Sequence, residues 1–212
     1  MRRLLIPAAI IGLALGGFSA GGDRLPADTP LHVVVATANA AGPWLVAAFV
    51  AGALQRETRL GAVSAAMALL LAIVVYYAGI YVAGNEVADL ARAGGAWLLV
   101  AAVVGPMLGA AGGYWARDGE RSRVVPIAIL AGALLAEAAF RLIQVEAWDG
   151  FDIARSDVQV GLVDVAVAAL VPIVGLAAPH RLRGYAASVA IGAAGLAGFA
   201  AITEAVRTVI RG

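Results

Sequence analysis

The 212 residues contain no cysteine and no lysine, and only two histidines, His32 and His180. Lack of cysteine rules out a disulfide framework, a thiol nucleophile, a haem attachment and a thiolate metal site, and removes any clue to redox compartment. The two histidines fall on opposite sides of the membrane in the topology set out below, so they do not jointly bind a metal, and neither a metal nor a cofactor is expected. Charge of either sign is scarce: 14% of residues are charged and the net charge is +1. Phosphate binding needs clustered basic groups, so nucleic acid is not an expected partner. All 15 basic residues are arginine, which with the abundance of alanine and glycine reads as the coding bias of a GC-rich genome rather than a functional signal. A phosphate-binding loop, a dinucleotide fingerprint, a zinc-protease helix and a nucleophile elbow are all missing, so the expectation is no enzyme and no catalytic residue.

What the chain has is apolar length. Hydrophobic residues make up 62% of it and the mean hydropathy is +0.91, more than a water-soluble domain can cover with a charged exterior. A membrane helix needs roughly 20 apolar residues to cross a core of about 30 Å. The expected fold is all-α, a polytopic transmembrane bundle forming one integral membrane domain. Its spans lie near 4–20, 33–54, 60–84, 96–116, 124–145, 158–178 and 185–210. The span at 4–20 competes with a secretion signal but has a poor cleavage site, Phe18 standing two residues before Ala20. The span at 33–54 is interrupted by Gly42 and Pro43. It is either one kinked helix, or an interfacial helix over 31–40 leading into a tilted span. If the first or second segment does not cross, six spans remain.

Seven crossings put nine arginines (Arg2, Arg3, Arg56, Arg59, Arg117, Arg121, Arg123, Arg181, Arg183) on one side and four (Arg24, Arg92, Arg155, Arg211) on the other. The positive-inside rule then gives a cytoplasmic N-terminus and an external C-terminus. Trp44, Trp97 and Trp148 fall at the outer boundary and Trp115 at the inner one, as interface anchors.

A shift of 53 residues superposes 34–52 on 87–105 with identity at 9 of 19 positions, including Gly42 with Gly95, Trp44 with Trp97 and Gly52 with Gly105. Both copies run in the same direction, unlike an inverted repeat. The polar turn over 86–93 suggests an interfacial helix before each copy. With a fainter echo between Glu137-Ala138 and Glu204-Ala205, the chain reads as a leading helix plus three helical hairpins. Gly105, Gly109 and Gly113 recur every four residues, and Gly12 and Gly16 form a second pair. Such faces admit a neighbouring backbone, whether within the chain or in a dimer.

Ionisable groups inside the spans define the candidate site. Glu137 and Arg141 lie one turn apart on one face, in the favourable order for an ion pair. A charge near the bilayer centre costs roughly 2.5 to 3.5 kcal/mol by insertion scales, so both should point into the bundle. Asp164, Glu204 and Arg207, with Tyr76, Tyr77 and Tyr81, fall at similar depths on neighbouring helices. All eight are expected to converge on one polar cavity open to the outside, or else to serve as packing glue. The Glu137-x-x-x-Arg141 spacing is similar to part of the first motif of intramembrane prenyl proteases, but position 136 is alanine and the histidines that family needs are missing.

The runs Gly42-Pro43-Trp44-Leu45, Val75-Tyr76-Tyr77, Gly105-Pro106-Met107-Leu108-Gly109 and Leu135-Ala136-Glu137-Ala138 resemble the domain-of-unknown-function family six-five-one-eight, small bacterial multi-pass membrane proteins. The resemblance covers the chain from about residue 40 onward. It implies a helical membrane domain with Trp44, Tyr77, Gly105 and Glu137 as signature positions, and no activity. Two functional readings stand. One is a small-molecule or ion transport or substrate-capture component with an outward-facing polar cavity. The other is a structural subunit, bound to a membrane partner or to a second copy of itself, whose buried charges are glue. In both, the lipid bilayer is the first partner, and no motif specifies a substrate.

Overall fold

The computed structural model describes residues 2–22, 32–84, 87–117, 123–147 and 155–211. Among these the fold is all helical, in eight elements: α1 (Arg2–Gly22), α2 (His32–Asn39), α3 (Ala41–Ala53), α4 (Thr58–Val82), α5 (Val87–Arg117), α6 (Val124–Ala147), α7 (Arg155–Gly175) and α8 (Ala178–Arg211). Three stretches, Thr58–Val82, Val124–Leu142 and Val158–Gly175, are long and apolar enough to cross a membrane, and Ile6–Gly22 and Ala41–Ala53 are shorter apolar helices. Large apolar side chains including Ile10, Val103, Met107, Leu170, Val174 and Val189 face outward, while the interior is built largely from alanine and leucine.

Small residues set how closely the helices approach. A Cβ on Gly12 would stand 2.7 Å from the Ala68 carbonyl oxygen, and one on Gly16 would strike that of Ala72, so α1 lies backbone to backbone on α4. Gly109 faces Gly61 and Ala65, Gly113 faces Glu57 and Thr58, and Gly105 faces Ala66, seating α5 on the first half of α4. Gly52 and Gly112 add a close approach of α3 to α5. All of these contacts are within the chain.

Of the expected hairpins, α3 packs on α4, whereas α5 meets α6 and α7 meets α8 only lightly, and other pairings dominate. α1 packs on α4, α4 on α5, and α3 on both α4 and α5, while α6 packs on α7 and α8. The bundle therefore has two dense groups, α1 with α3–α5, and α6–α8. They meet along a thinner seam where α3 and α5 touch α6, and α2 lies between α1 and α7.

The second apolar segment is one broken helix. Pro43 has no N–H to return to the carbonyl of Asn39, and its ring crowds that carbonyl, so α2 cannot run on into α3. The chain unwinds at Ala40, whose φ of −71° and ψ of 155° are extended, and the Ala40 amide closes α2 with a bond to the Thr37 carbonyl at 3.1 Å. In the second repeat copy the residue aligned with Pro43 is Ala96, and α5 runs unbroken from Val87 to Arg117. The interfacial helix expected before that copy is thus the first turns of α5, because nothing there forbids helical continuation.

Candidate functional site

The break leaves backbone groups unserved. The first amides of any helix lack intrahelical acceptors, and α3 begins inside the protein with no side-chain cap from Ala40. Glu137, near the middle of α6, supplies the acceptor from across the seam: its Oε1 receives the Ala41 N–H at 2.7 Å. The same oxygen accepts Arg141 Nε at 3.2 Å and Nη2 at 3.1 Å. Glu137 is thus both ion-pair partner and cap, its charge placed against the positive end of the α3 dipole. Its side chain is only 10% exposed.

Asp164, near the middle of α7, approaches the same turn and is 2% exposed. A Cβ on Gly42 would strike its Oδ1, so glycine at 42 lets the carboxylate reach the start of α3. It also lies within electrostatic range of Glu137 and Arg141. Asp164 Oδ2 and Glu137 Oε2 are both buried without a hydrogen-bond partner.

On its other side the break forms part of a cavity of about 130 Å³ between α3, α4 and α5, lined by Asn39, Ala40, Ala41, Trp44, Leu45, Leu69, Ile73, Tyr76, Tyr77, Trp97, Val100, Ala101 and Val104. The Trp44 and Tyr76 rings stand edge to face with centroids 6.4 Å apart, and those of Tyr76 and Tyr77 with centroids 5.0 Å apart. Residues 39–41 therefore separate an aromatic cavity from a carboxylate cluster near the middles of α6 and α7.

Residues 1–206 match the family of unknown function DUF6518. The chain belongs to this family. No curated protein and no solved structure matches it. The match takes in the first helix and the whole of the first repeat copy, further than the stretch from residue 40 that the quoted runs cover. Of the four expected signature positions in this DUF6518 protein, Trp44 and Tyr77 line the cavity, Glu137 holds the break and Gly105 seats α5 on α4.

The eight expected site residues divide. Glu137, Arg141 and Asp164 come together, and Tyr76 and Tyr77 line the neighbouring cavity. Tyr81 does not join them: one turn further along α4 it is 58% exposed, carried past the cavity by the helix rise. Glu204 and Arg207 belong to α8, but their side chains lie outside the described residues. Among the expected anchors, Trp44 and Trp97 line the cavity, which binds the two repeat copies into one structure. Trp115 ties the far end of the seam, donating Nε1–H to the Gly175 carbonyl at 3.2 Å beneath the Arg123 guanidinium. Trp148 lies outside the described residues. Sequence reasoning missed Asn39, the Ala41 amide and the role of Gly42. The signal for them was the Pro43 to Ala96 difference inside an otherwise well-kept repeat.

Proposed function

We propose that this DUF6518 protein is a multi-pass protein of the bacterial cell membrane that captures or transports a small solute, without catalysing a reaction on it. The observation that carries this reading is the aromatic cavity ending on unwound backbone at the middle of a broken helix. Binding sites in membrane carriers are built where a helix is interrupted, because irregular backbone at that depth is tolerated only against protein or a solvated cavity. The outward apolar side chains and the apolar helices support insertion in lipid. A cavity of this size and lining suits an apolar or aromatic solute of a few heavy atoms, with one polar group for Asn39 or a tyrosine hydroxyl.

The rival is a structural subunit docked to a membrane partner. It draws support from the Glu137 to Ala41 bond, which by itself is good packing glue. Native mass spectrometry of protein extracted in its own lipids separates the two. The solute reading expects a small-molecule adduct on the wild type that is lost in Val104→Phe, a cavity-filling change, at unchanged thermal stability. A bare chain accompanied by a stoichiometric protein partner would replace it with the rival.

A further inference from the structure

The cluster at the break is one positive charge short. Glu137 and Arg141 neutralise each other, leaving Asp164 as a second buried acid. The elements packed against Asp164 supply no further cation among the described side chains. α3 contains no titratable residue. On α2 the only one is His32, whose side chain lies outside the described residues, as do those of Arg155 and Asp157 on α7 and of Glu204 and Arg207 on α8. On α8, His180, Arg181 and Arg183 sit in the first turns, past the far end of α7 from Asp164, and Tyr185 lies alongside α7 with its hydroxyl committed to the Ala169 carbonyl at 2.7 Å. The α3 dipole contributes about half a unit of positive charge. The remainder is a carboxylate in a medium where unpaired charge is costly.

Two buried oxygens, Asp164 Oδ2 and Glu137 Oε2, have no hydrogen-bond partner. An ionised carboxylate only accepts, whereas a carboxylic acid has one O–H to donate. We infer that Asp164 binds an exchangeable proton, making the acid pair at the helix break a proton-binding site. The step is plain: the carboxylate takes a proton from water and returns it, and no other bond changes. A proton fits where calcium or magnesium would be short of ligands. Calcium takes roughly 6 to 8 oxygen ligands and magnesium a full octahedron, while the described residues hold no group of three or more metal-ligating side chains. Because Asp164 Oδ1 lies against Gly42, gain or loss of the proton alters the charge that faces the start of α3. The break is thereby built to respond to it.

Infrared difference spectroscopy on the full chain in sodium-free lipid nanodiscs tests this. The expected result is a carboxylic-acid C=O band of one group per chain that titrates reversibly, shifts in deuterated water and persists when sodium or magnesium is added. It should disappear in Asp164→Asn and remain in Glu57→Gln, a change at an exposed residue. Aspartate labelled with carbon-13 at the carboxyl needs no variant and should shift the band even if Asp164→Asn fails to fold. Absence of the band from folded wild type, insensitivity to the label, or its removal by an added metal ion would overturn the proposal. An empty cavity would leave the band untouched, so this inference and the solute reading fail separately.

Discussion

Glu137 serves two groups with one carboxylate oxygen, the Ala41 amide and the Arg141 guanidinium, and stands near a second acid, Asp164. Breaking a buried ion pair by removing one partner costs on the order of 3 to 5 kcal/mol, because the other charge stays behind. Arg141→Ala alone should therefore lower unfolding stability in detergent by an amount of that order. The double change Glu137→Gln with Arg141→Met should recover most of it, since the glutamine oxygen still accepts the Ala41 N–H while both charges are gone. Equal losses in the two proteins would show that Arg141 acts through something other than its pair. The ion pair was legible in the sequence because four residues along one helix is a local relation. The Ala41 bond was not, because it joins positions 96 residues apart, and nothing in either segment alone states that they meet.

Among the elements, Pro43 and the glycine ridge have opposite effects: one parts a helix from itself, the other brings two helices together. The ridge was readable as a repeat of small residues every four positions, but its partner was not, since the same pattern serves a dimer. The structure places Gly109 against Gly61 and Ala65 of α4. Gly109→Ala should destabilise the protein by about 1 to 3 kcal/mol, the usual cost of overpacking. Gly17→Ala, at a site with open space around the added carbon, should be neutral or slightly stabilising through helix propensity. Thermal unfolding of both in nanodiscs decides, and equal losses would mean that the α4–α5 contact does not limit stability. The broken helix was half legible. Gly42 and Pro43 announced an interruption, but whether the first half lay flat or continued inward depended on a cap supplied by α6.

For the whole molecule, the arginine distribution predicts a cytoplasmic N-terminus and an external C-terminus. Paired reporter fusions at the two ends measure this, and both termini on one side would remove a crossing from the seven expected from the sequence. The helices pack as two dense groups, α1 with α3–α5 and α6–α8, an arrangement the sequence concealed because apolar helices carry no label for their neighbours. Across the seam run the Glu137 bond to Ala41 and, at the other end, the Trp115 bond to Gly175. The mechanical consequence concerns the softest direction of motion. Rocking one group against the other stretches these polar ties while each group keeps its interdigitated interior. Polar ties exchange partners with incoming water, whereas a packed interior does not. The joint of such a rocker would run through Ala40, where the chain is already unwound.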